Sequence, residues 1–418
     1  AASDVYKRQE VLSRTSGVEG GRASTLHSEN RVLLTELAPE KTRVDYSSEV
    51  NIAGRLGKFG LGVMRKHVEK MAQEFAAHFS VGIVEGREAV ERRLEGSAKS
   101  ARPGLLQRLG LSKFPHTDES KDDMPAATQS HRPSEKSRGM LLFPESIDEA
   151  VDMLAGEPAS FPLAGGATLI AMRNAGLVAV NRYVSLERIG DIQGISVLDK
   201  GSIRVGAMTR HRETASSDTL TGSLRVLREA AGSIANMPVR NMGTMGGSLA
   251  HADPAADYLA ALTSIDARVV IAGPAGERTI DIGDLIVDWY ETCLEPGELI
   301  TSILLPAPMP GYSSYRKVAR VSGDYAVASC AISIGNNGSG RVGIAIGGCG
   351  PAPVRVRDAE PLLSSGLVNQ EDVDALCAAL VARADPVDDV RGSAEYRRNL
   401  IPRLVGSAIA GIQQAEVA

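Results

Sequence analysis

The stretch that decides the fold is Val239-Arg-Asn-Met-Gly-Thr-Met-Gly-Gly-Ser-Leu-Ala-His-Ala-Asp-Pro-Ala-Ala-Asp257. It lies between two helix-like segments and is predicted to be a loop. Glycine permits positive φ and close approach of the backbone, so consecutive N–H groups are expected to converge on an anion. Thr244 and Ser248 would add hydroxyl donors. The alternative is a plain glycine turn between packed elements, which for this motif alone is equally supported. The glycines concerned are Gly243, Gly246 and Gly247.

A second glycine turn lies earlier in the chain, at Phe161-Pro-Leu-Ala-Gly-Gly-Ala-Thr-Leu-Ile170. It follows a predicted helix over 147–154, for which Ser146 is the expected N-cap. Two separate turns of the phosphate-binding type suggest a dinucleotide ligand. Neither turn fits the G-x-G-x-x-G pattern after a strand or the G-x-x-x-x-G-K-[ST] pattern, so Rossmann and Walker sites lack their residues.

These two turns carry a resemblance to a known family. The pair A-G-G-x-[ST] and R-N-x-G-T-x-G-G, followed by D-P-x-x-D, resembles the FAD-binding medium subunits of the molybdenum hydroxylases. Aerobic carbon monoxide dehydrogenase and xanthine dehydrogenase belong to this family. The resemblance runs from about Met140 to the C-terminus, and further motifs match in the same order, namely Leu294–Ile300, Tyr315–Arg320, Gly323–Ala326 and Arg391–Arg397.

The resemblance implies an α+β fold for most of the chain. A two-subdomain FAD-binding fold of the vanillyl alcohol oxidase type is expected over 139–311, and a C-terminal α+β domain over 312–418. The sequence pattern itself predicts a β-hairpin over 268–281 that turns at Gly273–Gly276. It also predicts strands at 183–186, 202–207, 312–318, 328–334 and 341–347, and helices at 220–234, 370–384 and 393–413.

The N-terminal part is predicted to be a separate unit. Residues 24–34 and 42–52 are strand-like, and Phe59 to Phe79 include an apolar stripe at helical spacing. Gly54–Gly60 and the Phe75…Phe79 ending resemble the helix-grip accessory proteins of carbon monoxide dehydrogenase. This implies a partial helix-grip domain over 1–84, with maturation or peripheral membrane association as its expected role. Residues 85–138 read as a flexible linker, and the chain is expected to begin inside a longer protein.

The family resemblance assigns cofactor contacts to both glycine turns. It implies a first FAD loop formed by Ala164, Gly165, Gly166, Ala167 and Thr168. It implies a second formed by Thr244, Met245, Gly246, Gly247 and Ser248. Relatives often have His at position 167 and Asn at position 248, so two side-chain hydrogen bonds would be missing here, at about 1 kcal/mol each. Asp257 would contact the cofactor, and its alternative role is that of an N-cap for the helix that follows.

The resemblance also places residues near the flavin ring. Lys317, or the adjacent Arg316, would provide a cation favouring the anionic reduced flavin; a surface charge on an edge strand is the alternative. Tyr325 would cover one face of the ring, with Asp324 orienting its loop. Leu299 and Ile300 either line the cofactor site or form strand core, and their apolar setting favours core.

Composition limits the remaining possibilities. The net charge is −5 and aromatic residues are 4% of the chain, which argues against a nucleic-acid partner. No apolar run approaches 20 residues, so no membrane span is expected. Four widely spaced cysteines and seven histidines form no ligand motif, so neither a metal site nor an iron–sulfur centre is predicted. The cysteines fit a reducing cytoplasm, which is the expected location.

The expected function is therefore electron transfer through FAD. The resemblance implies a large partner subunit with a molybdenum cofactor and a small partner with two-iron, two-sulfur clusters. Electrons would pass from those clusters through FAD to an external acceptor such as a quinone or NAD. Two alternatives stay open: a self-sufficient FAD oxidase of the vanillyl alcohol oxidase type, and a maturation or tethering protein for the dehydrogenase. The substrate is not determined by this chain.

Overall fold

The computed structural model describes residues 8–18, 24–38, 41–54, 140–157, 159–174, 178, 180, 182–335, 342–363 and 369–415. Near the N-terminus, β1 (Arg8–Val18), β2 (Ser24–Ala38) and β3 (Lys41–Gly54) form an antiparallel sheet in the order β1-β2-β3. The two predicted strands are confirmed and are longer than expected, whereas β1 was not predicted. The predicted helix at Phe59–Phe79 and the linker at 85–138 lie outside the described residues.

The first glycine turn directly follows a strand of a small parallel sheet. Its strands are β4 (Met140–Leu142), β5 (Ser160–Leu163) and β6 (Arg182–Ser185), in the order β4-β6-β5. Helix α1 (Ile147–Ala155) precedes β5, and the Ser146 hydroxyl accepts from the Glu149 N–H as predicted. Helix α2 (Leu169–Asn174) begins directly after the turn.

A five-stranded antiparallel sheet forms the next layer. The predicted hairpin is confirmed, because its strands β9 (Arg268–Gly273) and β10 (Gly276–Asp281) pair on either side of the predicted turn. The other strands of the sheet are β7 (Ile195–Val197), β8 (Ile203–Gly206) and β13 (Leu299–Leu305), and the strand order is β10-β9-β13-β8-β7. A short pair, β11 (Ile286–Asp288) and β12 (Glu291–Thr292), lies beside it.

Helices fill the region between this sheet and the C-terminal part. They are α3 (His211–Ser216), α4 (Arg225–Ser233), α5 (Met237–Met242), α6 (Met245–His251) and α7 (Asp257–Ser264). All eight residues of α7 are buried, so it is the central helix of the largest apolar cluster. The helix predicted over 220–234 begins later, because Gly222 has a φ of 52° and a 3₁₀ turn over Gly222–Leu224 comes first.

The prediction of a loop over Val239–Asp257 is wrong, since α5 and α6 occupy most of that stretch. Low helix propensity at the two adjacent glycines favoured a loop. Tertiary packing overrides this preference: Thr244 caps α6 with its side chain, and the glycines lie where the backbone meets neighbouring elements without room for a side chain.

The C-terminal part has the predicted elements. Strands β14 (Gly311–Val318), β15 (Ala328–Gly335) and β16 (Val342–Gly347) form an antiparallel sheet, and α8 (Gln370–Arg383) and α9 (Ala394–Ala415) pack on one face of it. The mixture of helices and sheets confirms the α+β class. Among the described residues, no helix combines the length and apolar character that crossing a bilayer requires.

Strand β14 joins two cores because successive side chains on a strand point to opposite faces. Tyr312 faces the C-terminal helices, and its hydroxyl donates to the carbonyl oxygen of Ala408 at 3.0 Å. Ser313 faces the other way, where its hydroxyl donates to the carbonyl oxygen of Gly222 at 2.7 Å. Tyr315 and Lys317 share the face of Ser313. The alternation therefore directs Lys317 toward α4 and α7 and Arg316 away from them.

Candidate cofactor site

The first glycine segment, residues 164–168, presents a row of free backbone donors. None of the N–H groups of Gly165, Gly166, Ala167 and Thr168 donates to an acceptor in the described part of the chain. Gly166 has a φ of 71°, which turns the backbone so that neighbouring N–H groups face one side. These residues are half-buried. Successive free N–H groups in such a turn form an anion-binding concavity.

The second glycine segment, residues 244–248, has a different hydrogen-bonding pattern. The N–H groups of Met245 and Gly246 donate to the carbonyl oxygens of Thr209 (3.1 Å) and Ala207 (2.8 Å). The Gly247 N–H donates to the Thr244 hydroxyl at 3.1 Å, and the Ser248 N–H donates to the Thr244 carbonyl at 3.0 Å. The expectation that these N–H groups converge on an anion is therefore wrong for this segment.

The expected positive φ of its glycines is also wrong. Gly243 has a φ of −64°, and Gly246 and Gly247 lie in helix α6. What these positions require is the absence of a side chain. A Cβ atom on Gly246 would lie 2.5 Å from the Cβ of Ala207, and one on Gly247 would lie 2.9 Å from the Thr244 hydroxyl oxygen.

The two glycine segments lie against each other. A Cβ atom on Gly165 would overlap the carbonyl oxygen of Met242 and would lie 3.0 Å from the Cα of Gly243. A Cβ on Gly247 would lie 3.5 Å from the Cβ of Ala164. The second segment is thus a closely packed support, and the first segment lies on it with its donors free.

Leu299 lies in the apolar core against which the first glycine segment packs. It is 3% exposed and is part of an apolar cluster with Leu154 and Val184, against which Ala164 packs. This location corresponds to the strand-core alternative. Ile300 is also buried and belongs to the neighbouring larger cluster.

Asp257 and Lys317 form a buried ion pair, with 2.8 Å between Lys317 Nζ and Asp257 Oδ1. Lys317 also donates to the carbonyl oxygen of Ser233 at 2.8 Å, and Tyr315 donates its hydroxyl to Asp257 Oδ1 at 2.7 Å. Burial raises the pKa of Asp257, and the charge of Lys317 opposes that shift. The N-cap role for Asp257 is wrong, because Ala256 is the cap residue and Asp257 is the first residue of α7.

The surface-charge alternative for Lys317 is wrong as well, since its side chain is 9% exposed. Arg316 is exposed, and the bond from its side chain goes to the carbonyl oxygen of Tyr315 at 3.3 Å. Lys317 is therefore the cation that lies with Asp257. Tyr315 had no predicted role in the site, and its place two residues before Lys317 on a strand is the signal that could have identified it.

Tyr325 lies beside the first glycine segment, with its hydroxyl close to the side chain of Thr168. Its N–H donates to Asp324 Oδ1 at 2.9 Å, so Asp324 does orient this loop. The residue is 37% exposed. Burial of the hydroxyl, followed by the charge of Asp253, raises the pKa of Tyr325 to about 12. A phenol with this pKa is a poor general base near neutral pH.

His211 lies beneath the second segment and was missed by the sequence analysis. The backbone N–H of His211 donates to the carbonyl oxygen of Gly243 at 3.1 Å, and a Cβ atom on Gly243 would overlap the imidazole ring of His211. Its Nδ1 is 3.1 Å from the hydroxyl of Tyr258. Burial, with the charges of Arg210 and Arg240, lowers the pKa of His211 to about 4. A single histidine after a strand carries no signal by which sequence could have identified this contact.

No group of acidic, histidine or cysteine side chains within the described residues has an arrangement able to hold a metal ion. The residues present do fit a dinucleotide. The free donors at 165–168 suit a diphosphate.

The chain is similar to known proteins over most of its described part. Residues 135–308 match the FAD binding domain in molybdopterin dehydrogenase, and residues 313–412 match the CO dehydrogenase flavoprotein C-terminal domain. The glyceraldehyde dehydrogenase medium chain of Sulfolobus acidocaldarius is 32% identical over 63% of this chain and 94% of its own length.

Two carbon monoxide dehydrogenases are similarly related. The medium chain from Afipia carboxidovorans is 35% identical over 64% of this chain and 93% of its own length. A solved structure of carbon monoxide dehydrogenase from Hydrogenophaga pseudoflava, which lacks the Mo-pyranopterin moiety of the molybdenum cofactor, contains a chain that is 32% identical to this one. The TM-score is 0.63, and the match covers 66% of this chain and 98% of that one. The protein therefore belongs to the family of FAD-binding medium subunits of the molybdenum hydroxylases.

Proposed function

We propose that this chain is the electron-transfer subunit of a carbon monoxide dehydrogenase-like complex. In this proposal a large partner oxidises the substrate at a molybdenum centre, and a small partner carries two-iron, two-sulfur clusters. This chain receives electrons from the clusters and passes them to an external acceptor. The observation that carries the proposal is the row of free N–H groups at 165–168, placed on the second glycine segment in a chain of this family.

Different described residues would contact different parts of FAD. The N–H groups of 165–168 would bind the diphosphate, and Thr168 and Tyr325 would mark the end of the cleft near the flavin ring. When bound, FAD supplies redox chemistry that connects one-electron clusters with a two-electron acceptor. The chain contributes position and electrostatics.

Asp257 and Lys317 act in this proposal as a pair. Because Asp257 lies 2.8 Å from Lys317, the two charges largely compensate each other. The reduced flavin would then gain less stabilisation from Lys317 than from an isolated cation. The main role of Lys317 and Tyr315 is to hold the Asp257 carboxylate in place, while Tyr325 shields one face of the flavin.

Non-covalent attachment is part of the proposal, since neither glycine segment contains a histidine or cysteine that could bond to the flavin. A cytoplasmic location is also proposed, and it is supported by four free, buried cysteines. Acid precipitation should release the yellow colour into the supernatant. Flavin that stays in the pellet would contradict non-covalent binding.

Co-purification tests the function directly. The full chain, tagged in cells that express its natural neighbours, should bring down a large molybdenum subunit and a small iron–sulfur subunit with about one FAD per chain. The isolated complex should reduce a dye with carbon monoxide, an aldehyde or a purine, which also identifies the substrate. A lone flavoprotein that oxidises alcohols would establish the oxidase alternative, and a flavin-free adaptor would establish the tethering alternative.

A further inference from the structure

Arg391 connects the C-terminal part to the candidate cofactor site. It lies between α8 and α9, in the loop that precedes α9, and its guanidinium is 5.0 Å from the centre of the Tyr325 ring. We propose that Arg391 is a positioning residue that holds the Tyr325 ring over the first glycine segment and so controls how accessible the flavin is. This inference rests on the proposed function, because it concerns the shielding of FAD.

Two carboxylates fix the guanidinium of Arg391. Its Nη2 is 3.6 Å from Asp253 Oδ2 and its Nη1 is 3.4 Å from Asp389 Oδ2. The Arg391 backbone N–H also donates to Asp389 Oδ1 at 2.8 Å, and Tyr290 lies near the Arg391 side chain. The side chain is 17% exposed, so it is held within the protein and is not extended into solvent.

The contact with Arg391 therefore bears on the orientation of the Tyr325 ring. The ring face lies against the Arg391 guanidinium, and the hydroxyl lies close to Thr168. A cation within about 6 Å of an aromatic centroid is attracted to the ring face. The ring is otherwise substantially exposed, at 37% of the residue surface, so without Arg391 it would be free to change rotamer.

The contact requires arginine in particular. The guanidinium is planar and can stack on a ring while its edges bond to carboxylates, whereas a lysine ammonium cannot do both. Arg391→Lys therefore keeps the charge opposite Asp253 and Asp389 but removes the stacking. The variant therefore tests the positioning role alone, because the Asp253 side chain, which is 5% exposed, keeps a positively charged partner.

The first test uses the flavin-free full chain. Arg391→Lys and Tyr325→Ala should reduce the near-ultraviolet circular dichroism of tyrosine in the same band, because the first frees the Tyr325 ring and the second removes it. Arg383→Lys, the same change at an exposed residue at the end of α8, should leave that band unchanged. An unchanged tyrosine band in Arg391→Lys would overturn the proposal whether or not the wild type binds FAD.

The second test uses the complex loaded with FAD. A tyrosine next to a flavin quenches its fluorescence, so Arg391→Lys should lengthen the flavin fluorescence lifetime. Loss of the cation–ring contact should also lower the KM for an external dye about two- to fivefold at an unchanged kcat. The double variant with Tyr325→Ala should behave as Tyr325→Ala alone. Additive effects of the two substitutions would show that Arg391 acts independently of Tyr325 and would overturn the proposal.

If the wild-type complex contains no FAD, the proposed function fails, and the circular dichroism experiment still decides the Arg391 contact. The two failures are therefore distinguishable. Equal flavin lifetimes in wild type and Arg391→Lys would likewise contradict the positioning role.

Discussion

The two glycine segments have similar sequences and opposite hydrogen-bonding states. At 164–168 four consecutive N–H groups lack acceptors among the described residues, whereas at 244–248 the corresponding groups are bonded to Thr209, Ala207 and Thr244. The first segment can bind an anion with its backbone. The second holds the first in place, because Gly165 lies directly against Met242 and Gly243.

This difference shows that glycine serves two separate needs. Gly166 provides a positive φ, while Gly165, Gly243 and Gly246 provide space for neighbouring backbone or side-chain atoms. A substitution at Gly165 should therefore affect both the ligand and folding, and one at Gly246 should affect chiefly folding.

The largest effect is expected from Gly165→Ala. The new methyl group would overlap the backbone of Met242, which cannot move without separating the two segments. We expect loss of FAD and destabilisation by about 3 kcal/mol or more. FAD content per chain and thermal unfolding measure both effects.

Gly232→Ala is the matched control for this substitution. Gly232 lies in helix α4 with no neighbouring atom within 4 Å of an added Cβ, so alanine should be neutral or stabilise the helix by up to about 1 kcal/mol. Full FAD occupancy in Gly165→Ala would contradict this account of the two glycine segments, because FAD binding would then not depend on close contact between them.

Gly246→Val should lower stability even without FAD. A side chain on Gly246 would clash with Ala207, the first residue after β8. Overpacking of this kind lowers the free energy of unfolding by about 1–3 kcal/mol. Circular dichroism should still show the distant strands folded, and FAD content should fall as a consequence of reduced stability. Loss of FAD at unchanged stability would instead make the second segment a direct ligand contact.

Acid should weaken the second segment through His211. Its pKa is about 4 when folded and near 6.5 when unfolded, so the unfolded chain takes up the proton first as pH falls. Above about pH 6.5 His211 is neutral in both states, and its contribution to the free energy of unfolding is fully present. That contribution is lost as the pH falls from about 6.5 to about 4, and the loss is at most about 3 kcal/mol. Urea unfolding of the full chain at several pH values measures this slope.

His211→Gln should show a shallower pH slope over the same window. Arg212→Gln, an exposed neighbour that is charged throughout, should keep the wild-type slope. Identical slopes in His211→Gln and wild type would show that this imidazole is not buried beneath Gly243.

The smallest effect is expected from Tyr325→Phe. Only the hydroxyl near Thr168 is lost, and the ring can still cover the flavin, so acceptor reduction should change little. Tyr325→Ala should alter acceptor reduction or oxygen reactivity while substrate still reduces the molybdenum centre normally. If Phe abolished activity as completely as Ala, the hydroxyl would be essential and shielding would be the wrong role.

Local patterns in the sequence predicted much of the fold. The hairpin over 268–281, the strands β14 to β16 and the helices α8 and α9 follow from alternation, turn residues and periodicity within each segment. Alternation along β14 also explains why Lys317, and not Arg316, meets Asp257.

The errors arose where contacts join residues distant in sequence. A glycine motif shows that a side chain is absent, and it does not show whether the backbone needs positive φ or close approach. The partners that decide this, Met242 for Gly165 and Ala207 for Gly246, lie in other elements. The contact of Arg391 with Tyr325 and that of His211 with Gly243 were not predicted for the same reason, because they exist only in the folded chain.

Amide hydrogen exchange with and without FAD tests the difference between the two segments most directly. Peptides covering 164–169 should gain protection when FAD binds, since their free N–H groups would then donate to the diphosphate. Peptides covering 245–248 should be protected in both states, because their N–H groups already have acceptors within the protein. Protection gained only at 245–248, with no change at 164–169, would contradict the account.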